Sequence, residues 1–195
     1  MEVRKTELPG VLLIEPHIYR DDRGSFLESW RQERYEGVGL PSTFVQDNAA
    51  VSRQGVLRGL HYQHPDPQGK LVMVLYGAVY DVAVDIRRGS PTFGRWMGTE
   101  LSAENARQLW IPEGFAHGYV VLSDTAVFAY KCTRPYRPDA DRAIRYDDPR
   151  IGIEWPISDP IVSSKDANAP LLDHLPDSAL PIHPALASLP SAAST

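Results

Sequence analysis

The chain holds a single cysteine, Cys132, so it can neither close an internal disulfide nor build a zinc site from four cysteines. One cysteine fits a reducing compartment, and the expected location is the cytoplasm. No apolar run reaches membrane-spanning length. The longest, Leu71 to Ile86, is interrupted by Gly77, Asp81 and Asp85. The stretch Met1 to Gly10 carries charges and no apolar core, so no secretory signal is expected there. Positive charge is not in excess: the net charge is −5 at pH 7, which predicts no broad attraction to nucleic acid or to an anionic membrane. A small anionic ligand stays open, because a few cations focused in one cleft outweigh the average.

Helical signals are also scarce. The best is Ser29 to Gly37, charged and then stopped by glycine, with a short turn over Ser102 to Arg107. What is abundant is strand pattern between turn signals such as Asp22-Arg23-Gly24, Pro65-Asp66-Pro67 and Arg88-Gly89-Ser90-Pro91. Val56–Gln63, Lys70–Tyr76, Ala78–Ile86 and Thr125–Lys131 read as strands, and Gly77 as a tight hairpin or bend between two of them. Many short strands with turn punctuation predict a sandwich or barrel, not alternating βαβ units. From about Leu171 the composition turns to Ala, Pro, Ser and Leu without a period. We therefore expect one domain over residues 1–175 and a C-terminal tail over 176–195.

His61, in Gly55-Val-Leu-Arg-Gly-Leu-His61, and His117, in Ile111-Pro-Glu-Gly-Phe-Ala-His117, lie in strand-like apolar surroundings. There a histidine serves as a base near neutral pH, or is a core residue satisfied by a carbonyl; composition alone favours the second. The spacing Pro112-x-Gly114-x-x-His117 matches the second motif of cupin barrels. The first cupin motif would offer a His-x-His pair, whereas this chain has His61-Tyr-Gln-His64. Residues three apart on a regular strand point to opposite faces, which argues against shared metal ligation by His61 and His64. Lys70 and Arg58 sit in or beside apolar strands and are the stronger candidates for anion contact; Arg23 and Lys165 lie in polar turns. Tyr130 ends an apolar run and needs a polar partner, whereas Asp166 reads as an ordinary turn carboxylate.

Taken in order, Gln46-Asp-Asn48, Gly55-Val-Leu-Arg-Gly-Leu-His-Tyr-Gln63, Gln68-Gly-Lys70, Asp81-Val-Ala-Val-Asp-Ile86, Gly89-Ser-Pro-Thr-Phe-Gly94, Arg107 to Gly118, Tyr130-Lys131, Asp147-Asp-Pro149 and Ser164-Lys-Asp166 resemble the dTDP-4-dehydrorhamnose 3,5-epimerase family. The resemblance runs from about residue 3 to about residue 170. It implies an all-β, cupin-like β-barrel of the jelly-roll kind with short peripheral helices, working without metal or other cofactor, as a homodimer on a dTDP-sugar. It implies epimerisation at carbons 3 and 5, either side of a 4-ketone, in dTDP-L-rhamnose biosynthesis. His61 matches the base, Asp166 its paired carboxylate, Tyr130 the acid and Lys70 the cation near the ketone oxygen. Arg58 and His117 match substrate contacts. Arg23, Glu28, Gln46, Asp47, Asn48 and Lys165 fall in the nucleotide and diphosphate contacts, with Arg23 and Glu28 expected from the partner subunit. Tyr136 matches the ring stacked on thymine, and Asp141 stands where the family often has glutamate.

A regular strand would send Arg58 and His61 to opposite faces; Gly59 between them is the place for a bulge that re-aims one of them. Three other readings stay open: an epimerase acting on carbon 3 or carbon 5 alone, a metal-dependent cupin enzyme using His61, His64 and His117, and a sugar-binding cupin without catalysis.

Overall fold

The computed structural model describes residues 1–184; residues 185–195, the larger part of the expected tail, lie outside the described residues. Strands dominate: β1 (Glu2–Lys5), β2 (Leu12–Glu15), β3 (Ile18–Asp21), β4 (Gly24–Leu27), β5 (Gln46–Arg53), β6 (Leu57–Gln63), β7 (Lys70–Tyr76), β8 (Ala78–Asp85), β9 (Trp96–Ser102), β10 (Gln108–Ile111), β11 (Phe115–Val121), β12 (Thr125–Cys132) and β13 (Asp141–Ala143). Among the described residues two short helices, α1 (Gln32–Glu36) and α2 (Ser164–Ala167), sit at the periphery. The helix expected over Ser29 to Gly37 is α1, closed by Gly37. The turn at Ser102 is locked by reciprocal bonds, Asn105 N to Ser102 Oγ at 3.1 Å and Ser102 N to Asn105 Oδ1 at 3.0 Å.

A six-stranded antiparallel sheet, in the order β1-β2-β10-β7-β12-β5, faces a five-stranded one in the order β13-β6-β11-β8-β9. The pair β3–β4 forms a separate hairpin. This is the cupin-like arrangement, but as a sandwich: among the described residues no strand pairing joins the edges of the two sheets, so the expected barrel is not closed. The chain passes between sheets at bends. Gly77 is one, and it makes no hairpin, since β7 and β8 belong to different sheets. Its φ of +75° suits glycine, and a Cβ there would lie 2.1 Å from the Thr125 carbonyl oxygen.

Alternation of side chains places the core. Between the sheets lie Val72, Val74, Leu109, Ile111, Ala126 and Phe128 from one wall, and Val79, Ala83, Leu101, Phe115, Tyr119 and Val121 from the other. The rings of Phe128 and Tyr119 bridge the walls, stacked with centroids 4.0 Å apart. A second cluster covers the outer face of the five-stranded sheet, where Leu172 and Leu180 pack with Leu60, Val84, Ala116 and Ile144. Residues 176–184, assigned to the tail in sequence, therefore begin as a docked segment. It includes a 3₁₀ turn at Asp177–Ala179 and a bridge from Ile182 to Arg88.

Candidate active site

The register between β6 and β11 decides which residues share the interior. His61 lies opposite His117, but Arg58 lies opposite Tyr119, so three residues of β6 span two of β11. The extra residue is a bulge, and it turns Arg58 and His61 to one side. Gly59 makes this possible. Its φ is +133°, and a Cβ would stand 2.5 Å from Gly118 Cα. No other residue fits without moving β11.

His61 Nε2 lies 2.7 Å from Asp166 Oδ1. The pairing is built by chain course. Ile161 bonds both ways with the start of β6, its N to Gly55 O at 2.8 Å and its O from Leu57 N at 2.9 Å. Ser163 then caps α2 by accepting from Asp166 N at 3.1 Å. Asp166 is almost wholly buried. Burial pushes its pKa up, but the His61 bond and charge, the Gly59 N–H and Ser163 outweigh this and hold it below the ordinary 3.8. A carboxylate ionised at neutral pH and bonded to one ring nitrogen fixes the tautomer of the other and stabilises the ring once protonated.

Across the interior, β7 and β12 present Lys70 and Tyr130. Their register pairs Lys70 with Cys132 and Val72 with Tyr130, so Lys70, Tyr130 and Cys132 share the inward face. With Gln46 and Asn48 of β5 and His61 of β6, they line a cavity of about 330 Å³. Burial pushes the Lys70 pKa down, against the pull of Cys132, Asp141 and Asp81. Lys70 forms no ion pair among the described residues; its ammonium lies 6.0 Å from the Tyr130 ring centroid. A desolvated cation without a counter-ion suits an oxygen that becomes negative during reaction. Burial, then Cys132, raises the Tyr130 pKa, while Arg58 opposes the rise. The hydroxyl therefore keeps its proton at neutral pH and has a cation near it. Arg58 reaches between the sheets, its Nε and Nη2 donating to Ser52 Oγ of β5 at 3.2 and 3.1 Å.

The mouth of the cavity carries Tyr136, Asp141 and Lys165. Tyr136 N donates to Gln46 Oε1 at 2.7 Å, and Gln46 Nε2 to Asn48 Oδ1 at 3.1 Å.

Other expected residues lie elsewhere. Asp47 follows Gln46 on β5 and points to the outer face, paired with Lys131 at 2.9 Å. Strand alternation alone separates it from its two neighbours in the motif. His117 is not on the cavity wall. It is buried, with Nε2 at 2.9 Å from the fully buried Asp81 and its ring stacked on Phe128. Burial lowers its pKa, with Asp81 pulling the other way. Arg23, at the tip of the β3–β4 hairpin, pairs with Asp21, and Glu28 with Arg31 and Arg34; neither lines the cavity of its own chain. His64 points away from His61, towards Arg142 and the Ser178 backbone. Among the described residues no three His, Cys, Asp or Glu side chains group so as to hold a metal ion. Gln63, Gln68 and Cys132 line the cavity without having been singled out in sequence. The signal for Cys132 was present, two residues beyond Tyr130 on one strand.

A carboxylate-paired histidine and a protonated tyrosine on opposite walls, with a cation at the same cavity, are the kinds of group that removal of a proton from one face of a carbon and its return to the other would need. That is the work of an epimerase, and the fold makes it one of the cupin-like isomerases. The chain matches the dTDP-4-dehydrorhamnose 3,5-epimerase family over residues 5–174, and it belongs to that family. The curated relative from Salmonella typhimurium is 56% identical over 176 residues, covering 89% of this chain and 96% of its own. A crystal structure of the Legionella pneumophila 3,5-epimerase in complex with dTDP-4-keto-L-rhamnose superposes with a TM-score of 0.91 at 53% identity, over 93% of this chain and 98% of that one. A 3′-monoepimerase from Streptomyces bikiniensis, crystallised with dTDP-quinovose, is 36% identical with a TM-score of 0.85, over 91% of each chain.

Proposed function

We propose that the protein converts dTDP-4-dehydro-6-deoxy-D-glucose to dTDP-4-dehydro-L-rhamnose by inverting carbons 3 and 5 in turn. The observation that carries the reading is the placement of His61 and Tyr130 on opposite walls of one cavity that also holds Lys70. The neutral His61 ring takes the proton next to the ketone, and Asp166 balances the charge that results. Electrons move onto the ketone oxygen, which Lys70 stabilises as it becomes an enolate. Tyr130 gives a proton from the other face. His61 then releases its proton to solvent and Tyr130 takes one back, after which rotation or re-seating of the ring exposes the second carbon to the same groups. The nucleotide lies at the mouth, with the base over Tyr136, and Lys165 and Arg58 serve the phosphates and sugar.

The test is proton NMR of the substrate in deuterated buffer. Deuterium entering at carbons 3 and 5, with the L-sugar as product, is the expected outcome. Exchange at one carbon only would replace this reading with that of a single-site epimerase, as in the Streptomyces bikiniensis relative.

We further propose a homodimer working in the cytoplasm. The outer face of the six-stranded sheet exposes Val51, Leu75 and Tyr76, and the β3–β4 hairpin exposes Tyr19 and Phe26. An exposed apolar face of this kind marks an association surface. Arg23 and Glu28 of the partner subunit would then complete the mouth. Sedimentation should give twice the 21.7 kDa mass of one chain, and Val51→Asp should shift it towards one; a wild type sedimenting as a single chain would end the dimer reading.

A further inference from the structure

We infer that Asp141, on the wall of the cavity mouth, is a positioning residue of the nucleotide site that acts by tethering Tyr136. This rests on the assignment of the cavity to a dTDP-sugar. Asp141 opens β13, where its backbone is registered opposite Gln63 of β6, so its carboxylate stands on a sheet and not on a loop. One oxygen of that carboxylate, Oδ2, takes both partners: Tyr136 Oη donates to it at 3.1 Å, and Lys165 Nζ bonds the same atom. Lys165 thereby neutralises a carboxylate that would otherwise repel a diphosphate at the mouth.

Tyr136 is the residue with most to lose. Its ring is about half exposed, and no other ring stacks on it among the described residues. Its backbone N–H is fixed to Gln46, but the hydroxyl bond to Asp141 is the one hydrogen bond its side chain makes among the described residues. Without that bond, two side-chain torsions are free, and a base arriving to stack must order the ring itself. With it, the platform is held flat before the ligand comes. Oδ2 of the aspartate is taken up by Tyr136 and Lys165.

Calorimetric titration with dTDP tests this on the wild type, Tyr136→Phe, Asp141→Ala and the double variant. Losing the pre-set ring should weaken dTDP about tenfold in Asp141→Ala. Tyr136→Phe, which keeps the ring and removes only the tether, should show most of that loss. The double variant should bind no worse than Asp141→Ala. Turnover should split the same way, with KM rising in Asp141→Ala and kcat moving less than KM. Additive losses, or a Tyr136→Phe that binds like the wild type beside a weakened Asp141→Ala, would mean that Asp141 acts by a route other than the Tyr136 tether and would overturn the inference. So would an Asp141→Ala that binds as tightly as a wild type that does take dTDP. A wild type that does not take dTDP would instead remove the nucleotide reading of the cavity, and this inference with it.

Discussion

His61→Ala should lose deuterium exchange at both sugar carbons together, with turnover falling about 10³–10⁴-fold, near the upper end of what a positioned general base supplies. Both carbons are expected to fail at once because the cavity holds one His–Asp pair. The other pair, His117–Asp81, is buried, stacked on Phe128 and off the lining of the cavity. Asp166→Asn keeps the shape of the pair but removes the charge that stabilises the protonated ring, so it should be slow without being dead. Proton NMR in deuterated buffer reads each carbon separately. If His61→Ala kept exchange at either carbon, a second base would be at work and the single-base mechanism would be wrong.

Lys70→Met should lower kcat about 10²–10³-fold, the loss seen when one donor to a developing oxyanion is removed. Methionine fills much the same volume, so folding should survive. The substrate ketone is neutral, so the cation matters most when the oxygen becomes negative, and KM should change little. The pH profile carries the same information. Burial holds the Lys70 pKa below its ordinary 10.5. The active form is the charged one, so activity should fall as pH rises through that lowered value, earlier than for an exposed lysine. Burial pushes the Tyr130 pKa the other way, upwards. Lys70→Arg stays charged, and its residual activity should lack that alkaline limb. A Lys70→Met enzyme within threefold of the wild type would show that some other group carries the enolate charge.

Much of this was legible in the sequence because two kinds of signal agreed. Strand periodicity marked β6, β7, β8 and β12 within a residue or two, and the motifs along them carried the resemblance to the family. The bulge at Gly59 followed from a contradiction: Arg58 and His61 could not both face inward on a regular strand, and only glycine could absorb the extra residue. What stayed hidden was what local pattern does not encode. Gly77 reads as a turn, but a turn does not say whether the next strand rejoins the same sheet or crosses to the other. Asp166 looks like any turn carboxylate until the bonds of Ile161 bring it beside β6. Asp81, the buried partner of His117, sits in an apolar run where a polar residue reads as an interruption. Asp47 is the reverse case. The motif grouped it with Gln46 and Asn48, and simple alternation, applied to that motif, would have turned it outward.

The stacked rings of Phe128 and Tyr119 come one from each sheet, and the Phe128 ring lies 6.0 Å from that of Tyr130 on the same strand. His61 stands on one sheet and Tyr130 on the other, so this aromatic pair helps to hold apart the two residues proposed as base and acid, much as a shim holds the jaws of a vice. Trimming Phe128 would let the walls settle towards each other, shortening the span that the sugar ring must fit while leaving each reacting side chain intact. The room for the sugar ring then depends in part on packing by residues that do not line the cavity.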